Sequence, residues 1–223
     1  MKIEAVIWDM DGVLIDSEHH WQRTEQALFR QFGIELSESM LYETRGLNTV
    51  EMEAHWRKRY PDELEQIGAD ELMARYDGLM VDTMNEEVEL MDGAREALDF
   101  FRERGLPLAL ATCSSYEHIR AVLDKHQLGE LFPVRVSASG DIPGKPHPEV
   151  FLECARQLQA DPTSCLVIED SFHGLVAGKA ARMKVLSFPD SGEYHQERFG
   201  AADLKIRSLH EIGDELLQKL ENT

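Results

Sequence analysis

Six short apolar runs punctuate the chain: residues 3–8 (IEAVIW), 106–112 (LPLALAT), 134–139 (VRVSAS), 165–170 (CLVIED), 184–189 (KVLSFP) and 202–206 (ADLKI). Each is rich in Val, Ile or Leu, and the apolar character is continuous rather than alternating. That pattern predicts strands covered on both faces, as in a parallel sheet. Helical spacing fills the gaps between the later runs. Ala94, Leu98 and Phe101 fall at i, i+4 and i+7 and stop at Gly105, a C-cap residue. Ile119, Val122 and Leu123 repeat the pattern ahead of Gly129, and HPEVFLECARQLQ and SFHGLVAGKAARM supply two more helices. Strand–helix alternation from residue 92 onward predicts a doubly wound α/β sheet.

The first run is followed by about a hundred residues before the second, far more than one crossover helix needs. Residues 18–33, 50–60 and 70–84 in that interval have helical patterns. The chain therefore divides into an α/β core, residues 1–16 and 88–223, and an inserted all-helical cap, residues 17–87.

Composition changes this picture little, and charge more. The chain has 223 residues, 43% of them apolar and 29% charged, which is globular rather than disordered. A chain of this length buries about 70% of the surface that its unfolded form exposes, so a real core is expected. Forty-two acids against twenty-three bases leave a formal charge of −19. Such an excess argues against a nucleic-acid partner, which needs clustered Lys and Arg, and against docking on anionic lipid. It leaves room for a small anionic substrate. Residues 35–92 hold sixteen acids and five bases, a net −11, and these acids read as solvated helix faces. Cys113, Cys154 and Cys165 are odd in number and fit no zinc spacing, so they read as free thiols in a reducing compartment. The N-terminal apolar run is too short and too acidic for a signal peptide. No stretch approaches a membrane span of about 20 residues. A cytoplasmic protein is expected.

In an open parallel sheet, ligands bind outside the carboxyl ends of the strands. The predicted strand ends carry Asp9-Met10-Asp11-Gly12, Thr112-Cys113-Ser114 and Glu169-Asp170-Ser171, while Gly144-Lys145-Pro146 follows the third run. Acids this close repel unless a cation compensates. The donors are oxygens, so a hard cation, Mg²⁺, fits best; zinc and softer metals fit poorly. Lys145 and the Thr112 hydroxyl suit the remaining oxygens of a phosphoryl group. Asp9, nearest the rigid strand, is the expected nucleophile, forming an aspartyl-phosphate. Asp11, on the turn, is the expected acid and base. Singly, each motif also reads as a loop or a helix start; together they read as a site.

These motifs resemble the haloacid dehalogenase superfamily. DMDGVLIDSE is similar to its first motif, LALATCSS to the second, GKPHPEVF to the third and VIEDSFHG to the fourth. The resemblance implies a Rossmann-like core, a helical cap inserted after the first motif, Mg²⁺ and a phosphoaspartate. It also implies a metal held by the Asp9 carboxylate, the Asp11 main-chain carbonyl and Asp170, with Glu169 close by. The second Asp argues against the dehalogenase branch. DSEHHW, the cap and GLVAGKAARM look most like the β-phosphoglucomutase-like group, and within it the sugar-phosphate and sugar-alcohol-phosphate phosphatases. Where the mutases carry a cap-hinge His this chain has Trp21, with His20 one place early. Their phosphate-gripping cap Arg falls at Thr49. Both changes favour transfer to water over transfer to a sugar.

Other residues admit two readings. Arg45, Asn48 and Thr49 flank Gly46 and form either a substrate-reading loop or a plain helix turn. Trp21 stacks on a sugar or packs in the hinge. Ser114 touches phosphate or caps a helix. Asp16 positions Asp11 or caps the first cap helix. Cys113 offers its backbone N–H to phosphate, and no partner activates its thiol. His147 and His173 read as structural. The expected partner is a small phosphorylated metabolite, and a monomer suits a moving cap. The leading expectation is thus a Mg²⁺-dependent phosphatase for small sugars, deoxy-sugars or sugar alcohols. The alternatives are a β-phosphoglucomutase-type isomerase and a non-catalytic phospho-switch.

Overall fold

The structure is a computed structural model and describes residues 2–44, 47, 49–139 and 141–223. Strands β1 (Ala5–Trp8), β2 (Leu108–Thr112), β3 (Val134–Ser137), β4 (Cys165–Glu169), β5 (Lys184–Ser187) and β6 (Leu204–Lys205) form one sheet. All pairs are parallel, in the order β3-β2-β1-β4-β5-β6. The predicted runs are these strands, each shorter by one to three residues.

The apolar runs are continuous because both sheet faces are covered. Successive strand side chains point to opposite faces. Val6, Trp8, Leu108, Leu110, Leu166 and Ile168 join one cluster. Ala5, Ile7, Ala109, Ala111, Cys165 and Val167 join another. Helices α5 (Ala94–Glu103), α6 (Tyr116–Lys125) and α9 (Asp214–Asn222) cover the first face. Helices α7 (Glu149–Leu158) and α8 (Phe172–Ala180) cover the second.

Among the described residues four helices intervene between β1 and α5: α1 (Glu18–Arg30), α2 (Glu38–Thr44), α3 (Thr49–Arg59) and α4 (Ala69–Glu86). They have their own apolar centre, built on Phe29, Leu41, Met52, Trp56, Leu72 and Tyr76. Buried positions on α4 recur every fourth residue, at Leu72, Tyr76, Met80 and Met84. The first two join the helical centre, and the last two join the sheet's own cluster. One helix therefore ties both bodies together.

The two links run side by side. Asp16 N–H donates to the Glu89 carbonyl at 3.0 Å, and Met91 N–H donates to the Leu14 carbonyl at 3.0 Å. Further contacts join the helices to the core. His118 on α6 accepts the Ser115 N–H at Nδ1 (3.3 Å). Its Nε2 therefore carries the proton, which it donates to the Asp77 carbonyl of α4 at 3.2 Å. Tyr42 Oη donates to Glu193 at 3.1 Å.

Candidate active site

The sheet order reverses direction beside β1, between its neighbours β2 and β4, and such a switch point opens a crevice. Register places the polar groups there. Trp8 lies opposite Ile168, and Asp9 N–H continues the ladder to the Ile168 carbonyl at 3.0 Å. Asp9 therefore stands beside Glu169, and by period two both follow the face of Ile7 and Val167. On the other side Trp8 pairs with Leu110, so Thr112 at the end of β2 reaches the same edge.

Asp9 and Glu169 are 6% and 1% exposed. Lys145 lies between them, its Nζ donating to Asp9 Oδ1 at 2.5 Å, Glu169 Oε1 at 2.7 Å and the Ala111 carbonyl at 3.2 Å. All three of its N–H groups are used. Glu169 Oε2 accepts from Ser171 N–H at 2.7 Å and Ser171 Oγ at 3.0 Å. Both Glu169 oxygens thus accept hydrogen bonds. Asp9 Oδ2 and the Asp170 carboxylate receive no hydrogen bond among the described residues.

Two glycines make room for these acids. Gly12 turns the chain after Asp11 with φ +77°, and a Cβ there would meet Asp170 Oδ2 at 2.4 Å. A Cβ at Gly174, on α8, would sit 1.7 Å from Glu169 Oε1.

Asp11 is held differently. Its Oδ1 accepts from Ser17 Oγ and from the Trp21 indole N–H, both at 2.7 Å. Its Oδ2 accepts from Ser114 Oγ at 2.7 Å and Thr112 Oγ1 at 3.3 Å. Two donors thus come from the helical side and two from the end of β2.

Electrostatics separate these groups. Burial pushes the Asp9 carboxyl above the ordinary carboxylate range; Lys145 opposes this, and Glu169 and Asp11 add to it. Burial, Glu169 and Asp9 push Asp170 well above that range. Burial alone would lower Lys145, but Asp9 and Glu169 hold its ammonium well above the usual range. Asp9, Glu169 and Asp170 offer oxygens within 4.8 Å of one another. Three carboxylates against one ammonium leave a formal excess of two negative charges. A divalent cation matches that excess, and the all-oxygen donor set suits Mg²⁺.

A cavity of about 310 Å³ opens over this edge, with helices α1–α4 contributing its other wall. Asp9, Asp11, Thr112, Cys113, Ser114, Lys145, Glu169 and Asp170 all line it, as do Trp21 and Thr49. The expected constellation is therefore brought together. Thr49 Oγ1 donates to Asp77 at 3.3 Å. Burial pushes the Cys113 thiol up, which keeps it protonated. Arg45 and Asn48 lie outside the described residues.

Several readings change in detail. Trp21 does pack, against Tyr76 and His118, but its N–H also grips Asp11. Ser114 does not cap α6: Ser115 does, accepting from His118 N–H. Asp16 neither holds Asp11 nor caps α1. Its carboxylate faces His19 at 3.4 Å, and Ser17 is the residue that reaches Asp11. His147 accepts the Glu149 N–H at the start of α7, and His173 stands at the cavity rim. The reading from sequence omitted Glu25 and Gln22. They line the cavity with Glu18 and Trp21 at i, i+3, i+4 and i+7, a helical stripe that could have marked them.

Residues 3–182 match the family model for haloacid dehalogenase-like hydrolases. The chain belongs to that family. Hexitol phosphatase B of Escherichia coli K12 is 35% identical over 212 residues, covering 95% of each chain. A probable pseudouridine-5'-phosphatase of Drosophila melanogaster is 28% identical, over 96% of this chain and 93% of that one. In fold, the chain is similar to CbbY from Rhodobacter sphaeroides, crystallised with phosphate. The TM-score is 0.85 at 24% identity, over 98% of this chain and 99% of that one.

Proposed function

We propose that this phosphatase hydrolyses small phosphorylated sugars, deoxy-sugars or sugar alcohols through an aspartyl-phosphate on Asp9. The observation that carries the reading is the unequal bonding of the two aspartates. Asp9 has one oxygen fixed by Lys145 and the other without a donor among the described residues, which suits a nucleophile. Asp11 has both oxygens held by side chains that a substrate can rearrange.

Asp9 Oδ2 attacks phosphorus, and the bond from phosphorus to the ester oxygen breaks. Asp11 gives its proton to the departing alkoxide. The Asp11 carboxylate then takes a proton from water, whose oxygen attacks the phosphoaspartate. The bond from phosphorus to Asp9 breaks, and free phosphate and Asp9 are regenerated. Thr112 and Ser114 turn their hydroxyls from Asp11 Oδ2 to the incoming phosphoryl oxygens, with the Cys113 N–H beside them. That exchange frees Oδ2 to carry the proton. Lys145 keeps Asp9 in line and offsets buried charge. Mg²⁺ would be held by the Asp9 carboxylate, the Asp11 main-chain carbonyl and Asp170 with Glu169 beside them, and when bound it would supply positive charge to the phosphoryl oxygens.

Residues 17–87 act as a cap that closes the cavity, on the core of residues 1–16 and 88–223. The hexitol phosphatase relative supports sugar alcohol phosphates as substrates. The free Cys113, Cys154 and Cys165 support a reducing, cytoplasmic setting. A panel of phosphate esters, compared by kcat/KM with Mg²⁺, tests the reading. Hexitol and hexose 6-phosphates should lead, chelation should abolish turnover, and Mg²⁺ should restore it. Glucose 1-phosphate should yield free phosphate. Turnover undiminished by chelation, or accumulation of glucose 6-phosphate, would contradict it.

A further inference from the structure

One buried carboxylate in the cavity wall has no part in the phosphoryl chemistry. Glu25, on α1, is 4% exposed and lines the cavity. Its Oε1 accepts from the Trp56 indole N–H and from Thr44 Oγ1 at 2.9 Å. Its Oε2 has only the longer branch of the Thr44 contact, at 3.2 Å. No Lys, Arg or His among the described residues pairs with it. A carboxylate has about four acceptor positions, so Oε2 keeps capacity for another donor. Burying such a group without one is costly. Trp56 is wholly buried and outside the cavity wall, so it fixes one oxygen from the helical centre.

The position is as informative as the bonding. Trp21 and Glu25 both line the cavity, one helical turn apart on α1. Trp21 touches Asp11, where the leaving oxygen must be protonated. Glu25 is four residues on, a rise of about 6 Å. A leaving group that starts at Asp11 and runs along α1 therefore brings its remote end to Glu25. Gln22, between them, donates to Glu18 at 2.9 Å and keeps this wall polar.

We propose that Glu25 is a specificity-determining residue that accepts a hydrogen bond from a hydroxyl on the part of the substrate remote from the phosphoryl group. The proposal rests on the phosphatase reading above and narrows it. The cap wall selects polyhydroxylated leaving groups over bare alcohols of equal length. A hydroxyl-free chain displaces water from Oε2 and offers no donor in return.

The test is a cycle between Glu25→Gln and loss of the substrate's hydroxyls. The probes are glucitol 6-phosphate and hexyl phosphate, compared by kcat/KM on the same preparation so that partial unfolding cancels. The wild type should prefer the hexitol ester by at least about tenfold. Glu25→Gln should shrink that preference by about tenfold, leaving hexyl phosphate within about threefold of wild type. Glu25→Leu, read by the same ratio, should shrink it further. An unchanged ratio, or an equal fall for both esters, overturns the proposal and leaves the phosphatase reading standing. A wild type that hydrolyses neither ester overturns both.

Discussion

Asp11 stands where the two bodies of the protein meet. Ser17 and Trp21 approach it from the start of α1, and Thr112 and Ser114 from the end of β2. The Trp21 N–H therefore links the position of α1 to the residue proposed for the proton transfers. Trp21→Phe keeps the packing on Tyr76 and His118 but removes the donor. It should lower kcat about tenfold while changing KM less than about threefold, the pattern of an interaction that matters in the transition state. A steady-state comparison on one substrate checks it, and an unchanged kcat would reduce Trp21 to packing. The residues proposed for the chemistry were legible in the sequence because each lies in its own local motif beside or shortly after an apolar run. The bonding of Trp21 was not. It depends on how α1 is rotated against β1, which no local spacing records. Ser17 escaped for the same reason, and Asp16 drew a role that belongs to its neighbour.

The strands and most helices follow from local patterns, and α2 shows where that fails. It has seven residues, of which only Leu41 and Thr44 are buried, too few to reveal a period. Glu25 is a second case: on a helix made mostly of polar residues it looks like surface charge. It is buried because Thr44 on α2 and Trp56 on α3 close over it, a pairing between elements. Burial pushes Glu25 up to about 7, against the hydrogen bonds from Trp56 and Thr44 that pull it down. A carboxyl raised in the folded state binds more protons there than in the unfolded chain. Stability therefore falls as pH rises from about 4.5 through about 7. The expected cost above that window is about 3 kcal/mol. Urea unfolding at pH 5 and pH 8 should show Glu25→Gln losing less stability than wild type across that interval. Equal losses would show that Glu25 does not titrate there.

For the whole molecule, apolar runs and their spacing announced a parallel sheet with a helical insert, but not the strand order. That order decides which loops face each other, and it places the site between β2, β1 and β4. The charge of −19 also acts at this scale. It slows the approach of an anionic ester most when the Debye length is long. Raising salt from about 0.01 M to 0.15 M shortens that length from about 30 Å to about 8 Å. With Mg²⁺ held constant, kcat/KM should rise about twofold or stay level, and a steep fall would contradict the prediction. The central claim is that the phosphoryl group passes through Asp9. Enzyme mixed with substrate carrying a radioactive phosphoryl group, then quenched in acid and digested, measures this most directly. The account predicts label on the peptide holding Asp9 and none in Asp9→Asn. Label elsewhere, or full turnover by Asp9→Asn with no labelled protein, would contradict it.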